Sequence, residues 1–180
     1  MKALLVIDML EDFVRGKLKV EAATTIIPNI RQLVEAARRA GIPVVYVCDA
    51  HEPGDPELQL WGPHAMKGTK GAQVVEELKP QPSDFIVEKK TYSGFFQTNL
   101  HQILQQHCVD TVVLTGLVTD ICVQHTAADA FFRGYKVWVV RNATVAIDEE
   151  SHQQALSYMA RVYGARVVTT ADMLQEFSAS

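Results

Sequence analysis

"LTGLVTDICVQHTAADAFFRGYKVWVV", residues 114–140, contains the pattern that decides the fold. The apolar, β-branched run over residues 111–115 predicts a strand, and the spacing from about Cys122 to Gly134 predicts a helix. Residues 136–140 then predict a second strand. Neither strand alternates apolar with polar residues, so both faces of each need cover. Two such strands joined by one helix make a parallel crossover unit.

The same alternation extends outward to both ends of the chain. Residues 3–7, 43–48, 85–87 and 166–169 read as further buried strands. Residues 25–40 carry apolar side chains at helical spacing and stop at Gly41 and Pro43. Thr98 is placed to open a helix bearing Leu100, Ile103 and Leu104. Ser151 is placed to open another, bearing Leu156, Met159 and Val162, and a short helix follows Thr170. The expectation is an α/β fold, three layers α/β/α, around a mostly parallel six-stranded sheet. With no repeat, linker or low-complexity tract, residues 1–180 are expected to form a single domain.

Composition narrows the function. At 48% hydrophobic and 21% charged the chain reads as a soluble globular protein. A net charge of −4 gives no basis for nucleic-acid or anionic-membrane partners. Cys48, Cys108 and Cys122 are odd in number and form no C-x-x-C pair, which suits reduced thiols better than disulfides. The opening MKALLVIDML is broken by Asp8 before a secretory apolar segment could form, and no run reaches membrane-span length. A cytoplasmic location is expected.

In an open parallel sheet the functional crevice lies beyond the carboxyl ends of the strands. Asp8 ends the first predicted strand, Asp49 and His51 follow the second, and Lys89 and Lys90 the third. Thr119 to Cys122 follow the fourth. A thiol at a helix start gains from unpaired amides and the helix dipole, which favour thiolate and could hold an oxyanion. The plain alternative is a small apolar filler, which suits Cys48 and Cys108 better. Asp8 is the better proton acceptor for Cys122, its alternative being a turn-capping aspartate. His125 lies deeper along the helix and reads as a packing or hydrogen-bonded histidine. One of the adjacent lysines should hold Asp8 ionised and the other be solvated surface.

The connection "CDAHEPGDPELQLWGPHAMKGTKG", residues 48–71, is long for an ordinary loop. Its D-x-H, a later histidine and Glu57 between them offer nitrogen and oxygen ligands to a divalent transition metal, against turn-forming aspartate and surface histidine. No phosphate-binding glycine motif is present.

"VIDMLEDF" (residues 6–13), "EKKTYSGFFQTNL" (88–100) and "LTGLVTDICVQHTAADAFFRGY" (114–135), in that order, resemble the isochorismatase-like cysteine hydrolases. The loop over residues 49–69 is similar to the metal-binding loop of the nicotinamidase (pyrazinamidase) branch, which converts nicotinamide to nicotinate and ammonia in pyridine nucleotide metabolism and NAD salvage. The resemblance implies a catalytic triad of Asp8, Lys89 and Cys122, with Lys89 selected by its place in K-x-x-Y-S-G-F. It implies an oxyanion hole from the amides of Val118 and Cys122 and a cis peptide at Leu117–Val118. Phe13, Trp61 and Tyr92 would line the substrate pocket. Asp49, His51 and His64, with Glu57 as a further ligand, would hold one divalent ion, zinc foremost, with iron or manganese as alternatives. A small-molecule amide substrate and a homo-oligomer, dimer or larger, are also implied. Leu10 and Ala50 depart from the family pattern at positions expected near the pocket. The rival readings are a relative acting on an N-carbamoyl or ureido compound, and a non-catalytic flavodoxin-like binding module.

Overall fold

A computed structural model describes residues 1–179. Six strands, β1 (Lys2–Ile7), β2 (Val44–Asp49), β3 (Phe85–Lys89), β4 (Thr111–Leu117), β5 (Lys136–Val145) and β6 (Arg166–Val168), form one sheet in the order β3-β2-β1-β4-β5-β6. Every pairing is parallel. β1, β2 and β4 are buried along nearly their whole length, as continuous apolar runs require.

Side-chain alternation divides the core into two layers. Leu4 and Val6 of β1 point toward α2 (Ala23–Arg39) and α7 (Thr170–Ser178), meeting Ile30, Leu33 and Phe177. Ala3, Leu5 and Ile7 point the opposite way, toward α4 (Leu100–Gln106), α5 (Gln124–Phe132) and α6 (Glu149–Tyr163). Each large side chain so buried contributes about 1.5–3 kcal/mol. Short helices α1 (Glu11–Val14) and α3 (Glu57–Trp61) lie in the connections above the carboxyl edge. Among the described residues no helix is long and apolar enough to cross a membrane.

Several boundaries differ from the sequence reading. β5 runs on past Val140 to Val145 although Arg141 and Asn142 interrupt its apolar run. The register with β4 jumps there, from Leu114 opposite Val139 to Gly116 opposite Thr144. α6 opens at Asp148 rather than Ser151: the Asp148 carboxylate accepts the Ser151 amide at 2.7 Å. α4 starts after Asn99, with Thr98 accepting the Leu100 amide at 3.3 Å.

The chain moves outward from β1 in both directions, so strand order reverses between β1 and β4, and a crevice is expected there. The two strands meet unusually closely at this seam. Gly116 has φ +106°, and a Cβ on it would sit 2.0 Å from the carbonyl oxygen of Ile7. Asp8 follows directly, with φ +52°, an uncommon backbone region for a residue bearing a side chain.

Candidate active site

Four strand ends meet around a cavity of about 330 Å³, at the small end for ligand sites. Phe13, Trp61, Tyr92, Leu117, Val118 and Ile121 supply most of its apolar wall, and Asp8, Asp49, Glu57, His64 and Cys122 its polar groups. The three predicted pocket aromatics are therefore all present. Trp61 donates its indole N–H to the Tyr92 hydroxyl at 3.1 Å, tying α3 to the segment after β3. Leu10 and Ala50 are buried but are not among the lining residues. Leu10 bridges to Val74, and Ala50 faces a different cleft.

The register between β2 and β3 sets Lys89 beside Asp49. Lys89 Nζ lies 2.5 Å from Asp49 Oδ1, 2.9 Å from Asp8 Oδ2, 3.1 Å from the Thr91 carbonyl and 3.5 Å from Cys122 Sγ. Lys90 is exposed and paired with Glu52, so the two lysines divide as expected. The other Asp8 oxygen accepts the Asp49 amide at 2.8 Å. A carboxylate oxygen of Asp8, one of Asp49 and Cys122 Sγ all lie within 4.8 Å of one another.

Burial and charge set the protonation states. Burial, with the nearby Asp49 charge, raises Asp8 to about 6 against the opposing pull of Lys89. Burial also pushes the Cys122 thiol well above its ordinary range; Lys89 opposes this, while Asp8 and Asp49 add to it. Lys89 loses from burial, yet Asp49 and Asp8 keep it firmly protonated. Near neutral pH the site therefore holds a neutral thiol facing an ionised Asp8. This corrects the expectation of a thiolate formed by a helix start. Cys122 sits within a π-helical turn, Thr119–Val123, and burial is the largest influence on its thiol. The arrangement supplies a base for the thiol rather than a standing anion. The Leu117–Val118 peptide is cis, as the family resemblance implies.

Ligand atoms of Asp49, His51, Glu57 and His64 lie within 4.8 Å of one another, and all four residues are buried. His51 Nε2 stands 3.5 Å from Asp49 Oδ2 and 3.4 Å from Glu57 Oε2 but makes no well-formed hydrogen bond. A tetrahedron with bonds of about 2.1 Å has edges of about 3.4 Å, so this spacing fits a divalent ion. His64 Nδ1 donates to the Gly62 carbonyl at 2.7 Å, leaving Nε2 as its ligand atom. Burial disfavours a charged His51, yet Asp49 and Glu57 raise it to about 10, so this cluster calls for positive charge.

Two residues given no role in the sequence reading orient these ligands. Asp55 sits 3.1 Å from His51 Nδ1 and fixes its ring. Asp12, buried between Gly16 and Gly71, accepts the Ala65 amide at 2.8 Å and holds the backbone next to His64. Asp12 lay within the quoted first motif, but nothing in its spacing signalled that it reaches another loop. His125 donates to or accepts from no triad member. Its Nδ1 lies 2.7 Å from the Ile121 carbonyl, and its ring rests against Tyr92. Cys48 is buried, whereas Cys108 is exposed, contrary to a filler role.

A family model described as the isochorismatase domain matches residues 2–172. The chain is 46% identical to N-carbamoylsarcosine amidase from Thermoplasma acidophilum, with a TM-score of 0.89 over 94% of this chain and 96% of that one. It is 35% identical to nicotinamidase PncA from Bacillus subtilis, TM-score 0.88, covering 93% and 98%. It is also 30% identical to the pyrazinamidase of Pyrococcus horikoshii in complex with zinc, TM-score 0.87, again covering 93% and 98%.

Proposed function

For a chain that belongs to the isochorismatase domain family and carries this site, we propose a metal-containing cysteine amidohydrolase whose substrate is nicotinamide. The observation that carries the reading is the buried four-ligand cluster, three of whose members, Asp49, Glu57 and His64, line one small apolar cavity with Cys122. The zinc-bound pyrazinamidase among its neighbours supports the same choice.

Cys122 Sγ attacks the amide carbonyl carbon while Asp8 takes the thiol proton. The amides of Val118 and Cys122 hold the oxygen that gains charge. Asp8 returns its proton to the amide nitrogen, the carbon–nitrogen bond breaks, and ammonia leaves a Cys122 thioester. Asp8 then removes a proton from water as its oxygen attacks the thioester carbonyl; the carbon–sulfur bond breaks, nicotinate leaves, and the proton on Asp8 returns to Cys122 Sγ. Lys89 keeps Asp8 anionic at the start of each half and balances charge near sulfur. Phe13, Trp61 and Tyr92 hold the flat ring and exclude water. Asp49, His51 and His64 would hold the ion, with Glu57 beside it as a further or water-bridged ligand, and an ion held by three protein ligands would keep a position for a ring nitrogen.

Ammonia release from a panel of amides tests this. Nicotinamide and pyrazinamide should be hydrolysed, and benzamide, which has no ring nitrogen, should be poorer by at least about a hundredfold in kcat/KM. Hydrolysis of N-carbamoylsarcosine with nicotinamide untouched would move the protein to the second reading, a ureido-compound amidase. That reading is favoured by the 46% identity to such an enzyme and by Lys17, a cation at the cavity mouth suited to a substrate carboxylate. A non-catalytic module would leave every amide intact.

Metal analysis is independent of turnover. Purified protein should carry close to one divalent ion per chain, and His51→Ala should lose most of it. Asp55→Ala, which frees the His51 ring without removing a ligand, should weaken metal affinity by about 10–100-fold. In His51→Ala, KM should rise while alkylation of Cys122 continues. Full ion content in His51→Ala would overturn the ligand assignment.

A further inference from the structure

Behind the nucleophile turn lies a buried contact that the chemistry above does not use. Thr119 opens the π-helical turn, is fully buried, and is absent from the cavity lining that its neighbours Val118, Ile121 and Cys122 form. Its hydroxyl lies 2.8 Å from Nδ1 of His152, which is 7% exposed in the first turns of α6. The other ring nitrogen, Nε2, lies 3.0 Å from the carbonyl of Arg141. A carbonyl only accepts, so Nε2 carries the proton, and Nδ1 of the neutral ring accepts from the Thr119 hydroxyl. The ring has no freedom left. Its backbone is fixed as well, since the His152 amide donates to the Asp148 carbonyl at 3.1 Å.

The Arg141 carbonyl belongs to the part of β5 where the register with β4 jumps. His152 thus connects an irregular strand on one side to the nucleophile turn on the other. On the turn, the Val118 carbonyl accepts the amides of Ile121 at 3.1 Å and Val123 at 3.2 Å. The peptide between Val118 and Thr119 is therefore clamped from two directions: by those amides at its carbonyl and by His152 through the Thr119 side chain.

We propose that His152 is a positioning residue for acyl transfer: through Thr119 it fixes the aim of the Val118 and Cys122 amides at the developing oxyanion. This rests on Cys122 acting as the nucleophile, but not on the identity of the amide. The alternative is that His152 only pins α6 to β5 through Arg141. The two roles use different ring nitrogens, and two variants separate them. In His152→Asn the side-chain oxygen falls near Nδ1 and can still accept from Thr119. In His152→Gln the side-chain amide reaches toward Nε2 and can still donate to Arg141.

Two reagents separate aim from thiol reactivity in a Cys108→Ser background, acetylation followed by the rate of p-nitrophenolate release above that of Cys122→Ala and alkylation at the Cys122 peptide by mass spectrometry. p-Nitrophenyl acetate transfers its acetyl carbon to Sγ through a charged tetrahedral oxygen and releases p-nitrophenolate, the thiol proton passing to Asp8. Iodoacetamide reacts by displacement of iodide at a saturated carbon and develops no oxyanion. His152→Ala should slow acetylation by about tenfold or more while leaving alkylation unchanged. His152→Asn should restore acetylation and His152→Gln should not. Thr119→Val should reproduce the His152→Ala split and carries the test if the latter does not fold. Rescue by Gln instead of Asn, an equal fall in both reactions, or no fall in either would overturn the positioning role. Wild-type protein that alkylates at Cys122 but releases p-nitrophenolate no faster than Cys122→Ala would overturn the nucleophile assignment itself, and the positioning role with it.

Discussion

A Cys122→Ala protein should fold like its parent and release no ammonia from any amide. The side chain removed is small and faces a cavity. Thermal unfolding should therefore be little changed. Catalysis has no second route, because no other thiol approaches the cavity: Cys48 lies behind Asp49 in a different cleft, and Cys108 is exposed at the end of α4. Removing a nucleophile that acts as a unit with its base costs about a million-fold in kcat. Cys122→Ser tests the base. Asp8 can accept a hydroxyl proton from the same place, but the poorer nucleophile should leave only a trace of turnover. Substantial hydrolysis by the alanine variant would rule out a covalent route through Cys122.

Gly116→Ala should be far more damaging to the fold than to any one contact. The new Cβ would lie 2.0 Å from the Ile7 carbonyl oxygen and 2.7 Å from its nitrogen, so the obstacle is backbone in the centre of the sheet. No rotamer change relieves that overlap; β1 or β4 must move. The substitution also forces alanine to φ +106°. The expected loss exceeds about 4 kcal/mol, which places the variant among the exceptional single substitutions. Gly134→Ala is the control. There φ is +83° and no atom lies within 4 Å of the added Cβ, so only the conformational cost of about 1–2 kcal/mol applies. Urea unfolding of both proteins measures the difference. Equal midpoints would mean that the close approach at the seam carries no weight. Because Asp8 follows Ile7 directly, any Gly116→Ala protein that does fold should also be catalytically impaired.

Much of this was legible in residue order. The uninterrupted apolar runs of β1, β2 and β4 announced strands covered on both faces, and the polar residues at their ends announced a common edge. The residues proposed as triad and metal ligands were singled out by that placement together with the family motifs, and the structure brings them together at one edge. What stayed hidden required three dimensions. Nothing about Asp55 distinguishes it from a turn aspartate until His51 is seen beside it. Asp12 and His152 act on residues far away in sequence, through single hydrogen bonds that leave no periodic trace. β5 outruns its apolar segment through Arg141 and Asn142, which pair with neither neighbouring strand; the Asn142 side chain accepts the Thr170 amide and hydroxyl instead, and the Arg141 carbonyl meets His152. The protonation of Cys122 was misjudged for a related reason. Helix ends can be read from sequence, but the degree of burial around a thiol cannot.

Asp49 belongs to two assemblies at once. One oxygen pairs with Lys89, and the other faces His51 and the metal ligands. Its amide, meanwhile, holds Asp8. The groups proposed to hold the ion, His51, Glu57 and His64, sit with Trp61 in the single excursion between β2 and β3. Phe13 and Tyr92 flank them from the segments after β1 and β3, and acid, lysine and thiol come from three separate strands. That division makes the excursion an exchangeable cassette. A descendant or a designer could replace the chain beyond Ala50 and alter what is recognised while the hydrolytic machinery stays in place. The one residue that such a graft must keep is Asp49, the hinge pin common to both halves.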